Sequence, residues 1–302
     1  MTPSLSVNPI DDLRQLFTYP FMVNALAAGT VVAVLAGVVG WYVVLRRQTF
    51  ASHTLSVMAF PGATGAALAG LPTALGYYVA CTVAAVAIGR FGAGTSRRQG
   101  ESAVIGAVQT VGLAAGFLFL SLNQAVLGGS ETLLFGTFLG ITRGQVLTLL
   151  LVALAALATL TALARPLLFA SVDREVARAG GVPVALLDAA FLLVLALAIA
   201  ATSQLTGALL VFALLVAPPA AAQQLTLRPI AGLVLSVVFA LLTIWLALAI
   251  AYFSIYPVGF YVTTIGFVIY LLARAGRAGR AGRAGRAGRA GGAGRAAPAR
   301  SR

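Results

Sequence analysis

Residues 21–47 read FMVNALAAGTVVAVLAGVVGWYVVLRR, an almost uninterrupted apolar run that ends in two arginines. About 20 predominantly apolar residues are enough for a helix to cross the hydrocarbon core of a bilayer. Because no water is available there to satisfy peptide groups, a spanning segment must be a helix or part of a closed barrel. The run is rich in Leu, Ala and Val and lacks the strict alternation of a strand, so it predicts a transmembrane helix.

Apolar runs separated by short loops continue to residue 273. The chain is 60% hydrophobic and 9% charged, whereas a typical soluble domain has roughly 25% charged residues. The sequence therefore predicts an all-α integral membrane protein with eight to nine transmembrane helices, nine being favoured. The predicted spans are residues 21–45, 52–71, 74–90, 101–121, 143–165, 184–203, 206–223, 229–252 and 256–273.

Arginines in the loops fall almost entirely on alternate boundaries between spans. They follow the first, third, fifth, seventh and ninth spans, and only Arg14 and Arg143 lie on the other side. The positive-inside rule therefore places the N-terminus outside and the C-terminus in the cytoplasm. Before the C-terminal tail, the arginines on the predicted cytoplasmic side are Arg46, Arg47, Arg90, Arg97, Arg98, Arg165, Arg174, Arg178 and Arg228.

Three regions follow from this pattern: an extracytoplasmic segment at 1–20, a transmembrane domain at 21–273 and a tail at 274–302. The first region has no basic n-region and carries two acids, so we expect a retained first span and not a cleaved signal peptide. The tail holds nine of the 20 basic residues and no acid. Its Arg-Ala-Gly repeat lacks the proline of collagen and cannot bury a core, which predicts disorder. It is either a tolerated extension or a segment that binds lipid or nucleic acid.

Motifs for covalent chemistry are absent from the sequence. There is no CxxC, HExxH, GxxxxGK(S/T) or GxSxG motif, and the one cysteine, Cys81, lies in an apolar run. We therefore predict that the chain is not an enzyme and binds no cofactor. Because it has no phosphate-binding loop, any energy from ATP must come through a separate partner.

Two of the segments between spans are each predicted to contain a short helix. The connection Ser121–Thr142 contains an apolar stretch, Leu133–Gly140, for which we expect a short re-entrant helix buried in protein. The loop at 171–183 reads SVDREVARAGGVP, with acids near its start and Arg178 toward its end, as favours a helix dipole. It predicts a short surface helix stopped by two glycines. It is either an ordinary solvated loop or a helix that couples to a cytoplasmic partner through Asp173, Glu175, Ala177, Arg178, Ala179, Gly180 and Gly181.

Four segments together resemble permeases of ATP-binding-cassette importers for zinc, manganese and related metal ions. The resemblance covers residues 21–273, and family members carry a segment like LRRxxFxGDALSHAxLPG after the first span. The matching residues there are Leu45, Arg46, Arg47, Phe50, Leu55, Ser56, Pro61 and Gly62. The family's coupling loop is similar to Asp173, Glu175, Ala177, Ala179, Gly181 and Val182. Its LLFG…LG segment is similar to Leu133, Leu134, Phe135, Gly136, Leu139 and Gly140, and its GALLVxALLVxPAA span to Gly207–Leu210, Ala213–Val216, Pro218 and Ala220.

The resemblance implies an importer built from two permeases, two cytoplasmic ATPases and an extracytoplasmic metal-binding protein. The helix in the loop would sit in a groove of the ATPase, and ATP would drive alternating access of a central pathway. A metal chelate is an alternative substrate, and an ATP-independent carrier or channel, or a membrane assembly factor, is an alternative function. A carrier would be expected to show repeated halves with broken helices or charged relays, which the sequence lacks.

The family typically has Asp and His four residues apart in the second span, a pair suited to divalent metal ions. Those positions here are His53, the only histidine, and Val57. His53 is therefore a candidate metal ligand, the alternatives being a polar group at the headgroup boundary or a hydrogen-bonded residue at the start of a helix. The candidate pathway residues are Ser56, Thr64, Asp188 and Pro218, the last in a Pro-Pro pair that should bend its span.

Overall fold

Within the described residues, every regular element of the chain is an α-helix. The structure is a computed structural model that describes residues 19–92, 98–123, 130–136, 140–208 and 211–293. Most of the N-terminal segment predicted for residues 1–20 therefore lies outside the described residues. The helices are α1 (Pro20–Leu45), α2 (Thr49–Leu68), α3 (Thr73–Gly92), α4 (Arg98–Leu122), α5 (Ser130–Phe135), α6 (Arg143–Val172), α7 (Arg174–Ala179), α8 (Val184–Thr206), α9 (Val211–Leu225), α10 (Pro229–Tyr252) and α11 (Val258–Ala293).

Seven of the described helices, namely α1, α3, α4, α6, α8, α10 and α11, are long and apolar enough to cross a membrane. The predicted all-α, multi-pass membrane architecture is confirmed. The seven are fewer than the eight to nine predicted spans, and the difference lies in α2 and α9. Helix α2 is long enough but more polar, and α9 has only 15 residues. A helix of that length rises about 22 Å, short of the roughly 30 Å of hydrocarbon.

Helix α2 can be more polar than its neighbours because protein encloses it. It packs against α3, α4, α8 and α9, and most of its residues are buried. A hydroxyl buried without a partner costs free energy, and the hydroxyl of Thr54 meets this need by donating to Gln109 Oε1 of α4 at 2.9 Å. The polar side chains of α2 therefore lie inside the protein and do not face lipid.

Helices α1 and α8 lie at the centre of the bundle. Helix α8 packs against α1, α2, α3 and α6, whereas α1 packs against α6, α8, α9 and α10. The group α2–α3–α4 lies on one side of this centre and the group α9–α10–α11 on the other. The two central helices therefore connect the two groups.

Helices α2 and α3 cross with their backbones in contact at Gly62 and Gly76. A Cβ atom on Gly76 would lie 2.6 Å from the carbonyl carbon of Gly62 and 2.7 Å from Cβ of Ala66. A Cβ atom on Gly62 would lie 2.8 Å from the carbonyl carbon of Gly76. Small residues permit this close approach, which is typical of packing between membrane helices.

Helix α5 contains the start of the predicted re-entrant stretch Leu133–Gly140, of which residues 137–139 lie outside the described residues. It lies against the connection between α8 and α9. The Ala208 N–H donates to the carbonyl of Leu133 at 3.1 Å, and Gly136 and Gly207 have φ values of +75° and +78°. A Cβ atom on Gly136 would lie 2.6 Å from the nitrogen of Gly207, so glycine meets both the conformational and the steric requirement.

Helix α11 runs for 36 residues and enters the arginine-rich tail as far as Ala293. The predicted disorder of the tail at residues 274–302 stays a prediction. A helix already formed in the preceding span needs no new nucleation, and Ala and Arg are strong helix formers, although the glycine at every third position is not. Near the start of the tail, Arg277 Nη1 donates to Gln224 Oε1 of α9 at 2.7 Å.

Candidate functional site

The loop between α6 and α8 forms the short helix that the sequence predicts. Asp173 ends α6 and caps α7, because its carboxylate accepts hydrogen bonds from the N–H groups of Glu175 and Val176, both at 3.0 Å. Such a cap satisfies donors that have no partner within the helix and stabilises it by about 1 kcal/mol. Glu175 lies in the first turn and Arg178 in the last, as favours the helix dipole.

The C-terminal end of α7 is closed at the two predicted glycines, Gly180 and Gly181. The Gly181 N–H donates to the carbonyl of Arg178 at 3.0 Å, and the Val182 N–H donates to that of Ala177 at 3.0 Å, which is a Schellman arrangement. Gly181 has a φ of +80°, and a Cβ atom built on it would meet nothing within 4 Å. The backbone conformation, and not the packing, therefore requires glycine here.

Helix α7 has a buried face and an exposed face. Ala177 is fully buried, whereas Val176 is 52% exposed and Val172, at the end of α6, is 83% exposed. Ala177 therefore holds α7 against the protein. Glu175 and Ala179 are exposed beside these valines.

Asp188, a candidate pathway residue, lies at the base of α7 between two arginines. Its Oδ1 pairs with Nη2 of Arg46 and its Oδ2 with Nη2 of Arg174. The guanidinium of Arg46 also donates to Ser171 Oγ at 3.3 Å and lies 5.1 Å from the ring centroid of Phe191. The cluster ties together the end of α1, the last turn of α6, α7 and the start of α8.

Arg46 is the buried member of this cluster, and its side chain is 4% exposed. Burial lowers the pKa of Arg46, and the charge of Asp188 opposes this effect. An arginine stays charged in proteins, so the guanidinium requires its carboxylate partner. Sequence reasoning missed this pair because 142 residues separate its members. In the sequence Arg46 marks the cytoplasmic side and matches the family segment after the first span, but neither feature points to Asp188.

His53, the candidate metal ligand, lies about one turn into α2. Its ring packs edge-on against Phe212 of α9, with 5.0 Å between the ring centroids. His53 Nδ1 is buried and has no hydrogen-bond partner among the described residues, and the same holds for Ser52 Oγ and Gln48 Oε1. Buried polar atoms nearly always have a partner, whether protein, water or ion. Three such atoms within six residues therefore indicate that water or an ion would find hydrogen-bond partners or ligands at the start of α2.

Two other candidate pathway residues of α2 are satisfied within their own helix. Ser56 Oγ donates to the carbonyl of Ser52 at 2.8 Å, and Thr64 Oγ1 donates to that of Phe60 at 3.0 Å. Pro218 is buried within α9, which stays helical through it. The part of the chain that the structure describes has no group of three or more His, Cys, Asp or Glu side chains placed to hold a metal ion.

Apart from Thr64 in the second half of α2 and Pro218 in α9, the candidate residues lie in two places. One is the α7 region at the end of the bundle, which Asp188 contacts through its ion pair with Arg174. The other is the first half of α2, with His53 and Ser56. The turn at residues 46–48 connects the two, because Arg46 belongs to the first place and Gln48 to the second.

Known proteins are similar to this chain over most of its length. Residues 18–277 match the ABC 3 transport family. The manganese transport system membrane protein MntC of Halalkalibacterium halodurans is 30% identical over 241 residues, which cover 80% of this chain and 81% of that protein. The chelated iron transport system membrane protein YfeC of Yersinia pestis is 31% identical over 216 residues, 72% of each chain.

A solved structure shares the fold. The structure of PsaBC from Streptococcus pneumoniae in complex with Fab superposes with a TM-score of 0.77 at 24% identity, and the match covers 88% of this chain and 95% of that one. The family match spans both the α2 region and the loop that contains α7. The chain belongs to the ABC 3 transport family.

Proposed function

We propose that the chain is the membrane-spanning permease subunit of an ATP-binding-cassette importer for a divalent metal ion in the bacterial plasma membrane. Family membership over residues 18–277 is the observation that carries this proposal. The relatives named above are proteins of manganese and chelated iron transport systems. Manganese is therefore a first substrate to test, together with the zinc that the sequence resemblance implies, and a metal chelate is the second class.

The proposed assembly contains two copies of the chain in contact with membrane lipids, two cytoplasmic ATPases and an extracytoplasmic metal-binding protein. ATP hydrolysis belongs to the ATPase, since the permease has no nucleotide motif. Helix α7 would dock into the ATPase through its exposed residues Glu175, Val176 and Arg178, together with Val172 at the end of α6. Its capped ends support this role because a six-residue helix is not stable by itself.

In the proposed topology the N-terminus is outside, the C-terminus is cytoplasmic, and α2 and α9 complete nine crossings. Contacts at the helix ends support it. The end of α1 meets the end of α6 and the start of α8 through Arg46, Ser171 and Asp188. At the opposite end, the ring of Tyr19 before α1 lies 6.4 Å from that of Tyr252 at the end of α10.

The proposed pathway follows the polar face of α2, with His53 as the group that contacts the ion. Its unpartnered Nδ1, together with the unpartnered Ser52 Oγ, supports this role. Imidazole nitrogen is a common ligand of zinc and other transition metal ions. A site with few protein ligands also suits an ion that keeps water or chelator ligands, so the same geometry accommodates the chelate alternative.

We expect that replacing His53 with alanine lowers metal uptake by about ten-fold or more, because even residues that only support a metal ligand change affinity or activity by 10–100-fold. Uptake would be measured in vesicles that contain the full complex, with manganese, zinc, iron and an iron chelate offered separately. The His53→Phe variant is the matched control, since it keeps a ring against Phe212 and removes both nitrogens.

Equal losses in His53→Ala and His53→Phe would assign the effect to the imidazole nitrogens. Normal uptake in His53→Phe would assign it to packing against Phe212 and contradict the ligand role. If the wild-type complex takes up only the iron chelate in the presence of ATP, the importer proposal stands and its substrate is a metal chelate. Uptake of none of the four would contradict the proposed metal importer.

A further inference from the structure

Helix α7 is the element that a docked ATPase would move, and it packs mainly against α6 and α8. The candidate ion-contacting residues lie on α2, which does not share a main packing surface with α7. A displacement of α7 must therefore reach α2 through an intermediate. The side-chain cluster around Asp188 provides a direct one.

Asp188 uses a different carboxylate oxygen for each of its two arginines. Exposure falls steadily along the chain of contacts, since the side chains of Arg174, Asp188 and Arg46 are 50%, 22% and 4% exposed. The outer partner belongs to α7, and the buried partner belongs to the end of α1. The carboxylate thus joins the element that faces the ATPase to an element inside the bundle.

The turn that follows Arg46 is short and tightly bonded. The N–H groups of Arg47 and Gln48 donate to the carbonyls of Val44 and Val43 at 3.1 and 2.9 Å, a Schellman arrangement. Arg47 has a φ of +58°, a conformation that non-glycine residues adopt at a cost and that tends to occur at functional positions. One turn later, the Ser52 N–H donates to the carbonyl of Gln48 at 3.0 Å. A shift of Arg46 is therefore passed to the first turn of α2, where His53 lies.

We propose that Arg174, Asp188 and Arg46 form a relay that carries the movement of α7 to the α1–α2 turn and so to the pathway helix. This proposal rests on the proposed function and adds to it the positioning residues that connect ATP hydrolysis to the ion pathway. Arg174 would contact neither the ion nor ATP. Its role is to keep α7 and Asp188 moving together.

Arg174→Gln is the informative variant, because it cuts the relay at its exposed end. Asp188 keeps Arg46 as its partner, so no buried charge is left alone. Exposed ion pairs contribute little to stability, and the fold should therefore persist. The matched control is Arg165→Gln, which removes an exposed arginine of α6 that lies outside the relay. The rescue variant is Arg174→Lys, which keeps the positive charge beside Asp188.

The experiment measures metal uptake and ATP hydrolysis in the same vesicles, which contain permease, ATPase and binding protein. We expect Arg174→Gln to hydrolyse ATP at a basal rate within about two-fold of wild type and to lower the metal transported per ATP by about five-fold or more, the usual size of a coupling effect. Arg174→Lys should recover most of the ratio, and Arg165→Gln should match wild type.

An unchanged ratio of metal to ATP in Arg174→Gln would overturn the relay, as would an equal loss in Arg165→Gln. A merely structural defect would lower uptake and hydrolysis in proportion and leave the ratio at the wild-type value, so that result also contradicts the proposal. Failure of the proposed function looks different, because the wild-type complex itself would then show no ATP-dependent uptake.

Discussion

Replacing Gly76 with alanine is expected to lower the thermal midpoint of the purified permease by about 5 °C. The added Cβ atom would lie 2.6 Å from the carbonyl carbon of Gly62 and 2.7 Å from Cβ of Ala66. Because one obstacle is backbone, a change of rotamer cannot relieve the overlap, and α2 must move away from α3. Overpacking a well-packed interior typically costs about 1–3 kcal/mol. Helix α2 carries His53, so we also expect uptake to fall.

Gly106→Ala is the control for this substitution. Gly106 lies in α4, the neighbour of α2, and a Cβ atom built on it would meet nothing within 4 Å. Alanine is the better helix former, so Gly106→Ala should leave the thermal midpoint unchanged or raise it. The same midpoint for Gly76→Ala and wild type, measured in detergent, would show that α2 and α3 do not cross at this glycine pair.

Weakening both ends of α7 is expected to abolish stimulation of the ATPase while leaving membrane insertion intact. In the double variant Asp173→Ala/Gly181→Val, the first change removes the cap, at a cost of about 1 kcal/mol. The second places a β-branched residue at a φ of +80°, which costs at least about 1 kcal/mol more. The two free-energy costs add to about 2 kcal/mol, which corresponds to a roughly 30-fold lower population of the helical state of α7. ATP hydrolysis stimulated by the loaded binding protein should fall by about ten-fold or more.

Gly70→Val separates coupling from backbone strain. Gly70 has a φ of +69° with nothing within 4 Å of its Cβ position, as at Gly181, but it lies after α2 at the opposite end of that helix from Arg46. Stimulation should survive in Gly70→Val. Normal stimulation in the double variant, or equal losses in both, would refute the assignment of α7 as the coupling helix. The single variant Glu175→Arg, which reverses an exposed charge on α7, should lower stimulation in the same direction.

The helices were largely predictable because a membrane imposes a length and a composition on each span. The predicted spans 21–45 and 229–252 differ by no more than one residue per boundary from Pro20–Leu45 and Pro229–Tyr252. Helix α7 and its glycine stop were also predictable, since capping chemistry is local in sequence. The helical course of the tail to Ala293 was not, because composition gives no measure of how far a preceding helix extends into it.

Long-range partners were beyond prediction from one sequence. Asp188 lies shortly after a proline that opens a span, and this position is compatible with an interfacial or a pathway role. Only the fold brings it to Arg46, 142 residues away. The contact of Gly136 with Gly207 is similar, because each glycine looks like an ordinary turn residue until the two are seen together. The metal role of His53 stays a prediction, now supported by an unpartnered nitrogen.

This permease is expected to move a metal ion only when a separate ATPase drives it. The most direct test compares vesicles that contain the permease alone with vesicles that contain the permease and its ATPase, each with ATP and the metal-loaded binding protein. We predict accumulation of manganese or zinc above its equilibrium level in the second set only. Equal accumulation by the permease alone would contradict the claim and identify an ATP-independent carrier.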